Sequence, residues 1–337
     1  MRKLRVVALM HEDFVPPDCL DGLSEKQVLR IRTEYDVVTA LEELEHDTRV
    51  LGVTDDIAPI RRALLDFKPQ IVFNLLEEFR GQGVFVPFVL GYLQLMHQAF
   101  TGCNPTGLML ADNKPMMKKI LRYHRIPIPD FAVFRRGRAP KRPARLVFPL
   151  IVKSASEHGS VGIAQASVVT SEEKFRERVA YVHDDLGTDA IAEEYIDGRE
   201  VYVAVMGNDR LDVFPPRELL FENLADGAFR IATHKVKWDP NYQEQRGIKA
   251  ELARDLPNGV GDRLRKLSKR VYRILGLGGY ARLDFRIRGD RAYLLEANPN
   301  PDLARDEDFA EAARAAGTDY ERLIQRIVSL GCRLHRD

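Results

Sequence analysis

An α/β fold with a parallel sheet is what the amino-terminal part of this sequence predicts, followed by antiparallel strand pairs and helices. Three observations carry that expectation. Short apolar runs at residues 6–10, 49–53 and 71–74 are separated by helical apolar spacing over 25–44 and 57–67, and strands joined through helices pair in parallel. Residues 281–287 alternate apolar and polar side chains, Gly289-Asp290 supplies a tight turn, and 292–297 offers a second strand, which together read as a hairpin. Residues 190–205 read as strand, turn, strand.

The helix over 25–44 rests on Val28, Ile31, Tyr35, Val38, Leu41 and Leu44, spaced to share one face. A basic helix is expected over 113–124, ending at Pro127 and Pro129, and the prolines of 139–149 mark an exposed loop before a strand at 150–153. A strand is expected to resume at Ile163, with helices over 171–183, 261–275 and 309–330 as packing elements. Length and composition agree with a globular protein: 337 residues allow two or three packed domains, with 45% hydrophobic and 30% charged residues. A formal charge of +1 without long charged blocks gives no case for nucleic acid or an anionic membrane surface. Cys19, Cys103 and Cys332 show neither a metal spacing nor an even number, which implies a reducing, cytoplasmic setting. The apolar run at 6–10 is too short for a signal segment, and no stretch reaches transmembrane length.

The chemistry begins at the hairpin. Antiparallel pairing would set Asp284 close to Glu296 and Asn298, and hard oxygen ligands in small number suit Mg²⁺ shared with nucleotide phosphates. A hairpin with solvated acids accounts for the same residues, and the hairpin alone does not separate the two. Residues 154–162 form a small-residue loop containing Gly159, Ser160 and Gly162, where backbone N–H groups could approach phosphates, although glycine pairs also simply turn the chain. Lys153 stands on the preceding strand among apolar neighbours, where a charged partner or a snorkelling side chain would explain it. Residues 190–205 alternate apolar and hydrogen-bonding groups, the combination an adenosine needs.

In order, a lysine-bearing strand, a small-residue loop, Glu193-Glu194-Tyr195-Ile196 with Gly198 and Glu200, then Arg282-Leu283-Asp284-Phe285 and Glu296-Ala297-Asn298-Pro299 resemble the ATP-grasp superfamily, in its D-alanine-D-alanine ligase-like branch. The likeness runs from about residue 50 to the end. It implies an ATP-grasp fold: an N-terminal parallel α/β domain over 1–104, then two α+β subdomains, 105–196 and 197–337, that sandwich ATP. It also implies that Lys114 and Lys153 hold phosphates, Ser160 lies in the closing loop, Glu193, Glu194, Tyr195 and Ile196 grip adenine, and Glu200 binds ribose. Lys237 would serve the transferred group, Asp284, Glu296 and Asn298 would hold Mg²⁺ (with Mn²⁺ as a substitute), and Arg282 would polarise the forming tetrahedral centre. The activity implied is ATP-dependent ligation of a small carboxylate to an amine, both amino-acid-like, through an acyl phosphate. A homodimer is implied by the same resemblance.

The sequence departs from that family where substrates are read. Glu77-Glu78-Phe79-Arg80-Gly81-Gln82-Gly83 replaces a His-Gly and Gly-Glu-Asp-Gly loop, and Gly22-Leu23-Ser24-Glu25 only faintly echoes an early serine-glutamate signature, which leaves Glu25 and Glu77 as candidate substrate residues. Trp238 stands where the family carries a tyrosine, and Gly159 where it carries a serine. After Asn298 the usual threonine- and serine-bearing segment becomes Pro299 to Glu307, and Asp302 and Glu307 would repel an acceptor's carboxylate. An acceptor other than D-alanine follows, unless these acids are solvated or cap helices. A cell-wall D-alanine-D-alanine ligase with divergent loops and a non-catalytic nucleotide-binding module are the alternatives, and the latter predicts lost metal ligands.

Overall fold

A computed structural model describes residues 3–157 and 159–334, without the side chain of Trp238. In the first part, β1 (Arg5–His11), α1 (Glu25–Glu43), β2 (Asp47–Val53), α2 (Ala58–Phe67) and β3 (Ile71–Asn74) build a parallel sheet of order β2-β1-β3. Ser24 and Gln27 close a reciprocal cap at the start of α1, which satisfies amides that a helix end otherwise leaves open. Three helices follow, α3 (Val86–Leu95), α4 (Pro105–Asp112) and α5 (Lys114–Tyr123), each with proline at the first or second position, where a missing N–H costs no helical bond.

A four-stranded antiparallel sheet comes next. It contains β4 (Phe131–Phe134), β5 (Leu150–Ser154), β6 (Val168–Val169) and β7 (Ala190–Glu194) in the order β4-β7-β5-β6, with α6 (Glu172–Asp184) on one face. Phe134, Val152, Phe175, Val179 and Ala192 give this unit its own core. No strand resumes at Ile163; a short 3-10 turn over Gln165–Ser167 leads into the two-residue β6. Gly162 and Ser160 both take positive φ, 68° and 61°, so the chain is still turning there and cannot extend into a strand.

The last sheet is antiparallel and carries β8 (Arg199–Met206), β9 (Asp212–Val213), β10 (Arg217–Phe221), β11 (Ile248–Leu252), β12 (Tyr280–Arg288) and β13 (Arg291–Pro299). Between them lie α7 (His234–Trp238), α8 (Pro240–Arg246) and α9 (Val260–Ile274), and after them α10 (Asp308–Ala315) and α11 (Tyr320–Leu334). The single helix expected over 309–330 is therefore two, parted where Gly317 takes φ 81°. Strands β7 and β8 do not pair as a hairpin; they enter different sheets, and residues 195–198 cross from one to the other. Valines 201, 203 and 205 of β8 with Leu283, Phe285 and Ile287 of β12 share one core with Val7 and Leu9 of the first sheet, so the parallel sheet and the last sheet are welded. The small sheet is held to them across a cleft.

Candidate functional site

Period-two alternation decides what faces that cleft. On β5 and β7 the register sets Ile151 against Glu193 and Lys153 against Ile191, which places Lys153 and Glu193 diagonally on one face while Val152 and Ala192 point into the small core. Lys153 Nζ lies 3.2 Å from Glu193 Oε1. A second ammonium reaches the same carboxylate from α5: Lys118 Nζ is 3.0 Å from Glu193 Oε2 and donates to Leu295 O at 3.0 Å. Lys118 is fully buried and Glu193 is 1% exposed. Burial alone would raise the Glu193 carboxyl, but the two ammonium groups outweigh it and hold it below the ordinary range. For Lys118 the balance runs the other way, and burial lowers it.

Lys114 sits one helical turn before Lys118, on the same face of α5. Burial holds its ammonium down at about 8, against the pull of Glu296, and its Nζ donates to Glu157 O in the small-residue loop. That loop is pinned across the cleft. Ser160 Oγ donates to Ala232 O at 2.8 Å, the amide of His234 donates to Ile163 O at 3.1 Å, and Gln165 exchanges two bonds with the backbone of Phe229. His158 lies outside the described residues.

On the last sheet, one face of β8 and β12 is apolar and joins the core, so the other carries Glu200, Tyr202, Arg282, Asp284 and Arg286. Arg286 lies opposite Glu200 in register and pairs with it at 2.6 Å; Tyr202 also donates to Glu200, at 3.1 Å. The hairpin pairs Asp284 with Glu296 and Arg282 with Asn298. A bulge after Asp284 leaves Leu295 as the extra residue, so Leu294 and Ala297 both reach the core while Glu296 lines the cleft.

Asp284 is the hub. Arg282 grips it with Nε at 2.9 Å and Nη2 at 3.1 Å, and Asn298 Nδ2 adds a bond at 3.0 Å. Burial pushes the Asp284 carboxyl up to about 6, with Arg282 opposing and Glu296 adding to the push. Two carboxylates facing each other beside an amide form a hard-oxygen donor set, and each oxygen keeps further lone-pair capacity. Among the described residues no group of three or more His, Cys, Asp or Glu could by itself hold a metal ion. The set fits an ion that takes one or two carboxylates and completes its shell with phosphate oxygens and water, as Mg²⁺ does.

The cleft measures about 620 Å³ and is lined by Lys153, Ser160, Glu193 to Ile196, Glu200, Lys237, Asp284, Arg286 and Glu296, with apolar contributions from Ile151, Ile163, Ile231 and Leu295. Lys237 reaches it from α7, whose start is capped by the Thr233 hydroxyl. Glu194 also pairs with Arg288 at 3.1 Å, and Tyr195 packs edge-on against Phe229 at 5.1 Å.

This is a cleft between two antiparallel sheets with lysines on one wall and paired acids on the other. The family described as D-ala D-ala ligase C-terminus matches residues 120–329. The chain belongs to that family of ATP-grasp ligases. It is 30% identical to the uncharacterized protein y4sG of Sinorhizobium fredii, over 88% of this chain and 86% of the relative. It is 29% identical to a D-alanine--D-alanine ligase of Desulforudis audaxviator, over 92% and 96%. A D-alanine--D-alanine ligase structure from Bacillus anthracis complexed with ATP shares the fold, with TM-score 0.76, 20% identity and 99% of both chains covered.

In this ATP-grasp ligase, most residues singled out for nucleotide and metal do gather at the cleft. Lys118 was not anticipated, although its spacing of four from Lys114 on a basic helix was a usable signal. The substrate candidates fall elsewhere. Glu25 is exposed in the first turn of α1, outside the cleft lining. Asp302 Oδ1 accepts from Thr33 Oγ1 at 2.6 Å and from the amide of Ala304 at 2.8 Å, and Glu307 pairs with Arg32 at 3.0 Å. Glu77 lies outside the cleft lining, and burial with repulsion from Asp302 and Glu78 raises its carboxyl to about 7.

Proposed function

We propose that this ligase joins a small carboxylate to an amine other than D-alanine at the expense of ATP, through an acyl phosphate. The observation that carries the reading is the opposed pair Asp284 and Glu296, with Arg282 locked beside them and three lysines, Lys114, Lys153 and Lys237, around the same cleft. Residues 194–196 and Glu200 would take adenine and ribose, and the lysines the phosphates. A carboxylate oxygen of the donor attacks the γ-phosphorus, ADP leaves, and the amine nitrogen then attacks the acyl carbon with loss of phosphate and a proton. Lysine ammonium groups neutralise charge on the transferred phosphoryl group, and Arg282 stands to stabilise the oxyanion. Mg²⁺ held by Asp284, Glu296 and Asn298 would supply further neutralisation of phosphate charge. The loop around Ser160, tied to Ala232, would keep water from an intermediate that hydrolyses when exposed. Residues 1–104, 105–196 and 197–337 are the three units of this reading.

The acceptor half of the proposal rests on Asp302, which follows Asn298 closely, receives only neutral donors and would repel an acceptor's carboxylate, whereas Asp306 and Glu307 are paired with Arg32 and Asp308 with Arg217. The test is phosphate release from ATP with amino acids and small amines offered singly and in pairs, with products identified by mass. Release that needs both a carboxylate and an amine, with an amide product, is expected. Efficient synthesis of D-alanyl-D-alanine from D-alanine alone would refute the acceptor assignment.

A further inference from the structure

We infer that Arg286 is a positioning residue for the nucleotide: it holds Glu200 as the acceptor of a ribose hydroxyl and ties the adenine side of the cleft to its phosphate side, which sets a preference for ribonucleotides over their deoxy analogues. The inference rests on the ligase reading above, in which Glu200 takes ribose, and adds to it the residue that keeps Glu200 in place. Arg286 stands on β12 directly opposite Glu200 on β8. Its neighbours Phe285 and Ile287 turn into the core. Alternation therefore delivers Arg286 to the cleft, whose wall it lines together with Glu200.

Three parts of the chain converge on this one guanidinium. Nη2 donates to Glu200 Oε2 at 2.6 Å and to Arg230 O, and Nη1 donates to Gly198 O at 2.8 Å. Gly198 ends the link between the two sheets, next to the residues that would grip adenine. Arg230 belongs to the segment whose Phe229 and Ala232 are bonded by Gln165 and Ser160 of the small-residue loop. The adenine side, the ribose acid and the loop's anchor are thus held at fixed separations by a single side chain. Glu200 is buried, and among the described residues Arg286 is the cation that pairs with it. Tyr202 donates to its other oxygen, Oε1, at 3.1 Å. Without a cation, a buried carboxylate takes up a proton or swings toward water. Held as it is, each oxygen is engaged by one donor and keeps a lone pair for another. A charged acceptor bonds a hydroxyl about twice as strongly as a neutral one, and a site built around such a bond rejects an analogue that lacks the hydroxyl.

Calorimetric titration of the full chain with ADP, 2′-deoxyADP and 3′-deoxyADP, each with Mg²⁺ present, tests this. The parent chain should bind ADP about tenfold or more tighter than the weaker of the two deoxy analogues. Arg286→Met should weaken ADP binding about tenfold and bring that preference below threefold, whereas a merely structural loss would weaken all three nucleotides alike and leave the ratio unchanged. Arg286→Lys keeps a cation beside Glu200, so it carries the test should the methionine variant fold poorly. One ammonium cannot span Glu200, Gly198 and Arg230 together, so this variant should bind ADP about threefold more weakly while keeping the preference within twofold of the parent. A preference unchanged in Arg286→Met or lost in Arg286→Lys, or ADP bound by Arg286→Lys as tightly as by the parent, would overturn the role of Arg286 and leave the ligase reading standing. A parent chain that binds ADP no tighter than either deoxy analogue removes the ribose role of Glu200 and that of Arg286 with it. Absence of any nucleotide binding by the parent removes the ligase reading itself.

Discussion

The cleft and the buried acid of α1, Glu34, handle charge in opposite ways. In the cleft the buried charges mostly meet counter-charges: Glu193 stands between Lys118 and Lys153, Glu200 meets Arg286, and Asp284 meets Arg282. In α1, Glu34 is buried, and burial with repulsion from Glu77 and Asp302 pushes its carboxyl up to about 8. The first arrangement fixes these side chains through their ion pairs, which suits a site that must hold one polyphosphate geometry. The second keeps a proton on the acid instead.

Breaking the paired side should cost most. Glu193→Ala leaves two buried ammonium groups without a partner, and losing one member of a buried ionic set costs about 3–5 kcal/mol; denaturant unfolding should register that loss. A value near zero would mean that solvent already screens the lysines. A smaller effect is expected at the link between the two sheets. A Cβ on Gly198 would stand 2.0 Å from Ile287 O, so Gly198→Ala must move the backbone where Arg286 Nη1 also bonds Gly198 O at 2.8 Å. About 1–3 kcal/mol of destabilisation is expected, as for overpacking, together with weaker nucleotide binding in calorimetry.

The unpaired side should show itself in pH dependence. Glu34 has an ordinary value of 4.5 and is held at about 8 in the folded chain. Between those values the folded state binds the extra proton, so this group's contribution is full below pH 4.5 and is lost as pH rises through 8. The slope from one proton is at most about 1.4 kcal/mol per pH unit. Glu34→Gln should flatten that decline in urea unfolding between pH 5 and 8, whereas an unchanged slope would place the proton elsewhere.

How much of this was legible in the chain follows from the same contrast. Alternation over 281–297 was enough to pair the two strands, but the two-residue turn alone would set Asp284 against Leu295, and the bulge that brings Glu296 opposite leaves no mark in the sequence. The first parallel sheet was legible for a similar reason, each strand being a short apolar run between periodic helices. Lys118 was hidden because its role depends on the helical phase of α5 and on a strand far away in sequence. Glu34 was hidden more deeply. It stands among other polar residues in α1, and only the packing of 302–307 against that helix makes it a buried acid. The link at 195–198 could equally close a hairpin or cross between sheets, and only the packing of two separate cores decides for the crossing.

The central claim is that the Asp284 and Glu296 hairpin is the Mg²⁺-ATP end of a ligase. Phosphate release from ATP at saturating Mg²⁺, with the substrate pair found by the screen, should fall at least a thousandfold in Glu296→Ala while the far-ultraviolet spectrum and melting curve of the variant match those of the parent chain. A folded Glu296→Ala protein that turns over ATP at near the parent rate would contradict it.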